Sequence, residues 1–121
     1  MIKLNLIEIS ELHKELKNLL SEQTISFVTK YDITKALDKV IPIAINFEKM
    51  KFEIIKKNGN LVNEPQKSYT LNGSENEKKG IEELEKLSGK KEDFNFKFKM
   101  DDFKELKSAY PYRFIFKFFN D

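Results

Sequence analysis

The sequence feature that most constrains the fold is a single helical period over residues 28–58. Apolar residues recur there at alternating steps of three and four, which places them on one face of an α-helix. The residues of this face are Ile33, Leu37, Val40, Ala44, Phe47, Met50 and Ile54. A second row beside it consists of Ile41, Ile45, Phe52 and Ile55. The stripe is wide enough for a helix that several neighbours cover, and we expect a buried helix of about 45 Å around which the chain packs.

Pro42 lies inside this period. An interior proline removes one backbone hydrogen bond and crowds the carbonyl four residues before it, so we expect a kink between Asp38 and Pro42. Two shorter helices that meet at the proline are the alternative. One kinked helix is favoured, because packing of the surrounding apolar residues can offset the ~3 kcal/mol that an interior proline costs. The helix is predicted to end after Lys56 and Lys57, where a following glycine adopts the left-handed conformation.

Length and charge restrict the class of protein. The 121 residues predict one domain, 1–121. The absence of cysteine excludes disulfides and cysteine-based metal sites. Lys and Arg number 22 against 20 Asp and Glu, and a net charge of +2 gives no global attraction to nucleic acid or acidic membranes. Without a signal-like segment or an apolar run of ~20 residues, the sequence predicts a cytoplasmic protein.

Ahead of the long helix, the sequence predicts a strand and a shorter helix. Ile2, Leu4 and Leu6 alternate with polar residues, which is typical of a strand with one buried face. Ser10 is a suitable N-cap for a helix over 11–21. Because the linker 22–27 is short, the two helices are expected to form an antiparallel hairpin.

After the long helix, residues 58–73 form a turn-rich connector with two Asn-Gly pairs. Segments 61–62 and 69–71 could pair as a small hairpin. Ser74 and Glu77 have capping-box spacing, and the helix that they open is expected to end at Gly89.

The C-terminal third predicts two further strands. Phe94, Phe96, Phe98 and Met100 alternate with polar residues. Asp101 or Asp102 then caps a short helix through residue 106. The aromatic tail, 108–121, supplies a last strand with Phe114, Phe116 and Phe118 on one face. The predicted class is therefore α+β: a long kinked helix in a helical hairpin, packed on a small, mainly antiparallel three-stranded sheet.

This succession resembles a family of small phage-encoded proteins of unknown function. The resemblance rests on the short Leu-rich helix, Phe27-Val28-Thr29 ahead of the long helix, the segment NFEKMKFEIIKKNGN, the acidic helix NEKKGIEELEKLSG and the segment FKFKMDDFKEL. It covers the chain to about residue 106, and Pro42 and the aromatic tail depart from the family pattern. It implies a phage or prophage accessory gene. Small phage proteins of this kind often bind and disable a host machine, including CRISPR effectors.

Residues with catalytic potential are few. His13 is the only histidine, and a general base or zinc ligand needs partners that this chain does not easily provide. A surface or packing role is predicted for it. Asp101 and Asp102 are expected to act as helix caps rather than as an acid/base pair. Phosphate loops, nucleophile elbows and zinc-protease motifs are absent from the sequence, so we expect no enzyme, cofactor or metal.

The basic residues of the predicted strands are a candidate nucleic-acid-binding set. They are Lys3, Lys97, Lys99, Arg113 and Lys117. If the strands are neighbours, one sheet face is cationic and could bind phosphates. The alternating aromatic residues, however, point to the opposite face and cannot stack on bases there. A solvated sheet face is the favoured interpretation.

The aromatic tail is the candidate partner-binding segment. A patch formed by Tyr110, Tyr112, Ile115 and Phe119 would suit a target protein or a second copy of the chain. The alternative, which is favoured, buries these residues in the core.

Three functions follow from these patterns. The first is a phage inhibitor or modulator of a host or defence protein, such as an RNA-guided nuclease complex of a CRISPR-Cas system. The second is a nucleic-acid-binding accessory protein, and the third is a virion or assembly component. We rank them in this order, and none of them needs a membrane.

Overall fold

The computed structural model describes residues 2–63, 68–104, 106, 112 and 114–118. Its elements, in chain order, are β1 (Ile2–Asn5), α1 (Leu6–Leu20), α2 (Phe27–Asn58), β2 (Asn60–Asn63), β3 (Ser68–Thr70), α3 (Glu77–Ser88) and β4 (Lys91–Phe94). Two 3-10 helices follow, Met100–Phe103 and Ile115–Phe118. The predicted α+β class and the antiparallel pairing of α1 with α2 are confirmed. No helix in these ranges combines the length and the apolar character that a membrane span requires.

Helix α1 begins five residues before the predicted start. Asn5 is its N-cap: the side-chain oxygen accepts from the amide of Glu8 at 2.9 Å, and the Glu8 carboxylate accepts from the amide of Asn5 at 3.0 Å. This reciprocal capping box satisfies two amides that a helix start leaves free. Ser10, the predicted N-cap, lies inside the helix, where its hydroxyl donates to Glu48 at 3.2 Å.

Helix α2 continues through Pro42 as one element. Pro42 and Asp38 are both exposed. The carbonyl of Asp38, which the proline leaves without a helical partner, therefore lies on the side of the helix that water reaches. Water at this surface can donate a hydrogen bond to that carbonyl. Ser26 caps the start of α2 through its side-chain oxygen, which accepts from the amide of Thr29 at 3.2 Å.

The predicted apolar face of α2 is buried over most of its length. Ile33, Leu37, Val40, Ala44 and Phe47 are all buried. Met50, which the period places in the same row, is 52% exposed. In the second row Ile45 and Phe52 are also exposed, at 55% and 45%. Neighbouring elements therefore cover one side of α2 and leave apolar residues on its other side exposed.

The end of α2 joins the small hairpin. Gly59 is extended at φ −106° and ψ −178°, so the expected left-handed cap is wrong. Strands β2 and β3 pair antiparallel, with Leu61 opposite Tyr69, as the sequence predicted. Tyr69 contacts Phe52 edge to face at 6.0 Å, which fixes the hairpin against α2. Helix α3 packs on α2 and ends at Gly89, as predicted, but Asn76 rather than Ser74 precedes its first residue.

The predicted three-stranded sheet is wrong. Strand β1 pairs antiparallel with β4 from Ile2 opposite Phe94 to Asn5 opposite Lys91, and β2 with β3 forms a separate two-stranded sheet. Because β1 passes directly into α1 at Leu6, β4 has only four residues to pair with and ends at Phe94, where the predicted strand began. Asp101 and Asp102 then lie within a 3-10 helix, not at its N-cap, which is Lys99.

The described part of the aromatic tail is a 3-10 helix, not the predicted strand. Its period of three places Ile115 and Phe118 on one buried face and leaves Phe116 exposed. Phe118 stacks on Phe96 at 4.4 Å between ring centroids, and its carbonyl accepts from the amide of Phe98 at 2.7 Å. The core therefore lies between the α1–α2 hairpin and a layer built from β1, β4 and the tail.

Candidate functional site

The structure buries the described members of the predicted partner-binding patch. Tyr112 is 3% exposed and Ile115 is 1% exposed, and both belong to the main core. Their side chains therefore stabilise the fold, which is the favoured alternative from the sequence, and do not form an exposed face. Tyr110 and Phe119 lie outside the described residues.

The predicted basic set does not share one sheet face, because the three-stranded sheet is absent from the described chain. Lys3 lies on β1 beside Asp93, at 4.0 Å between charged atoms. Lys117, in the second 3-10 helix, is 3.5 Å from the carboxylate of Glu8. Lys97 and Lys99 are exposed on either side of Phe98, and Arg113 lies outside the described residues. The surface around Lys3 and Lys117 is therefore of mixed charge.

A buried carboxylate that sequence reasoning missed holds the tail. Glu15 of α1 is 5% exposed. Its oxygens accept from the amide of Phe114 at 3.0 and 3.1 Å and from the amide of Ile115 at 3.1 Å. The carboxylate thus lies at the start of the second 3-10 helix, where backbone amides point out of the helix. In the sequence, the one sign of this contact is a charged residue on the apolar side of α1.

Tyr112 gives this region a pH dependence. Burial, followed by the nearby carboxylate of Glu22, raises the pKa of Tyr112 to about 12, and the hydroxyl donates to Glu22 at 3.3 Å. A phenol in an unfolded chain has a pKa of about 10. The unfolded state therefore loses this proton first, and the stability that Tyr112 contributes below pH 10 is lost as the pH rises to about 12.

We expect the urea midpoint of the protein to fall more steeply with rising pH than the urea midpoint of Tyr112→Phe. The comparison runs from roughly pH 9.5 to 11.5, the range in which most of this stability is lost. The variant retains the ring but has no proton to lose. Lysines titrate in both proteins and cancel in the comparison. Parallel pH profiles would contradict this assignment.

His13 lies on α1 near Lys14 and Lys17. Among the described residues, no group of three or more His, Asp or Glu side chains could hold a metal ion. Burial, followed by Lys17 and Lys14, lowers the pKa of His13 below its usual value. His13 instead lines an open groove between α1 and α2.

A cluster of exposed apolar residues lies in the first turns of α2. Phe27 is 87% exposed, Val28 76% and Tyr31 62%; we call these three residues the α2 N-terminal patch. Given ~200 Å² for a large aromatic side chain, the patch presents roughly 400 Å² of apolar surface, comparable with the largest patch on a typical monomer. Lys30 and Lys35 lie over the rings of Phe27 and Tyr31, each at 5.5 Å from the ring centroid.

The apolar surface continues along the outer side of α2. At 100° per residue, Ile45 and Phe52 fall within an arc of about 60° that also holds Phe27 and Tyr31, roughly opposite the buried row. Asp38 and Lys49 are exposed between them. The outer side of α2 therefore offers apolar residues and charges over about 38 Å of helix.

No protein-family model, curated protein or solved structure matches the chain. The resemblance to small phage-encoded proteins therefore stays a prediction from the sequence. Any function proposed for the chain rests on its own geometry.

Proposed function

We propose that the protein is a non-enzymatic binding protein of phage or prophage origin that inhibits or modulates a host protein machine such as a CRISPR-Cas effector. The supporting observation is the α2 N-terminal patch. Three large apolar side chains are exposed at the start of the longest helix, whereas nineteen other apolar residues among those described are buried. Exposed clusters of this size commonly mark protein interaction sites.

The patch suits a protein partner for two reasons. Aromatic anchors dominate the binding energy of protein interfaces, where a single truncation can cost 2 kcal/mol or more, by rough convention. Lys30 and Lys35 beside the rings favour a target whose apolar pocket is bordered by carboxylates. Because α2 packs on α1 and α3, the helix that carries the patch does not have to form on binding, which reduces the entropy lost on association.

The test is the double variant Phe27→Ser/Tyr31→Ser in cells that carry an active CRISPR-Cas system and a targeted plasmid. We expect the unchanged protein to restore plasmid transformation and the double variant to lose this activity. In purified form, each substitution should weaken binding to the effector by about 30-fold. Since both side chains are exposed, the melting temperature should change little.

The matched control is Ile81→Ser, which removes an apolar side chain that is 43% exposed on α3. It should retain full activity. Failure of the unchanged protein to protect the plasmid against any CRISPR type, together with no stoichiometric complex in sedimentation with the effectors, would remove the proposal. A homodimer that dissociates in the double variant would assign the patch to a second copy of the chain instead.

A further inference from the structure

The groove between α1 and α2 has a cationic end. Its open cavity has a volume of about 430 Å³ and is lined by His13, Lys14 and Lys17 of α1 and by Glu48 and Lys51 of α2. A cavity of this size falls within the range of small-molecule sites, roughly 300–1,000 Å³. Three ammonium groups meet one carboxylate in this cavity, and Glu11 adds a second carboxylate in the adjoining one, so the groove carries a small excess of positive charge.

The ion pairs of the groove leave cationic charge available. Glu48 lies 3.4 Å from Lys51 and accepts from Ser10, and Lys14 lies 3.4 Å from Glu11. Lys17 has no ion pair with any described residue. The nearby lysines also contribute to the lowered pKa of His13, as expected for a ring in a positive field. An anion that enters here would meet Lys17, Lys14 and the imidazole together.

The same groove becomes apolar toward the start of α1. A second cavity of about 260 Å³ shares Ser10, Lys14, Glu48 and Lys51 with the first. Its other lining residues are Ile7, Phe47 and Leu84, which are apolar, together with Glu11 and Ser88. Ile7 is 51% exposed and lies two turns before Lys14, about 10 Å along the helix. The groove therefore combines a cationic end with an apolar end at a separation that one small organic anion can span.

We propose that this groove binds a phosphate monoester whose organic part is apolar. The phosphate oxygens accept from the ammonium groups of Lys14 and Lys17 and from the His13 ring, which gains a proton as the anion binds. The organic part lies against Ile7 and Leu84, away from water. The α2 N-terminal patch takes no part in this site, so the inference is independent of the proposed function.

The probe of this site is the only histidine of the chain, because the Cε1 proton of His13 gives a single NMR signal. The protein is titrated with 2-naphthyl phosphate and, separately, with inorganic phosphate at constant ionic strength. We expect both anions to shift the signal saturably and to raise the pKa of His13. The naphthyl ester should bind about 10-fold more tightly, because its rings bury apolar surface.

Three variants separate the two ends of the groove. Lys17→Gln should weaken both anions by about 5-fold, whereas Ile7→Ser should weaken only the naphthyl ester. Lys78→Gln, an exposed position on α3 outside the groove, should change neither. Circular dichroism confirms that each variant is folded. A His13 signal that moves without saturation, equal affinity for the two anions, or an unchanged affinity in Lys17→Gln would overturn the proposal.

Discussion

Glu15→Ala is expected to lower the free energy of unfolding by about 3 kcal/mol and the melting temperature by roughly 10 °C. The carboxylate is buried and accepts from the amides of Phe114 and Ile115 at 3.0 to 3.1 Å. Alanine would leave those amides without this acceptor and would open a space between α1 and the tail. Urea and thermal unfolding followed by circular dichroism measure both quantities.

A graded series tests whether the carboxylate itself is responsible. Glu15→Gln retains one acceptor oxygen of similar shape, so its loss should be intermediate, about 1–2 kcal/mol. Glu11→Ala is the matched control: Glu11 lies one turn earlier on α1, its side chain is 50% exposed, and it pairs with Lys14 at 3.4 Å. Its removal should cost about 0.5 kcal/mol or less. Equal losses for Glu11→Ala and Glu15→Ala would contradict the anchoring role.

Gly59→Ala is expected to destabilise the protein by about 2–3 kcal/mol, because there is no room for a methyl group. An added Cβ would lie 2.5 Å from the carbonyl oxygen of Ile55 and would also collide with that of Thr70. Both obstacles are backbone atoms, so neither can rotate away. The end of α2 and strand β3 would have to separate, and the contact between Phe52 and Tyr69 would be lost with them.

Hydrogen exchange of the β2–β3 amides should locate this effect, since protection there should fall more than in α1. Gly89→Ala provides the comparison. Gly89 has an ordinary right-handed conformation at φ −79° and ψ −9°, and an added Cβ would meet its nearest neighbour, the carbonyl oxygen of Glu85, at 3.4 Å. Its melting temperature should change by only a few degrees. The same loss of stability in both variants would show that crowding at Gly59 is not the cause.

The hydrophobic period predicted correctly the elements that are determined by neighbouring residues in the sequence. The extent of α2, the α1–α2 hairpin, the end of α3 at Gly89 and the pairing of Leu61 with Tyr69 all depend on residues close in sequence. The prediction for the tail was wrong, because alternation of apolar residues fits a strand. A carboxylate 99 residues earlier in the chain instead accepts from the amide of Phe114, directly before the second 3-10 helix. Local patterns do not contain such a partner.

The candidate site was missed for a related reason. A helical period shows which residues share a side, but it does not show how many neighbours cover that side. Ile45 and Phe52 belong to the predicted stripe and yet face water, because α1 and α3 cover only one part of α2. Phe27, Val28 and Tyr31 lie off the buried row, and this displacement is the signal that could have identified the patch.

The contact between Glu15 and the tail joins residues that are synthesised at very different times. Helix α1 leaves the ribosome long before residues 114 and 115 are made, and until then Glu15 lacks the amides of Phe114 and Ile115. A chain that ends before residue 114 therefore lacks the contacts through which the tail is held on α1. We expect such a chain to open locally more often than the complete protein and to be cleaved faster by proteases.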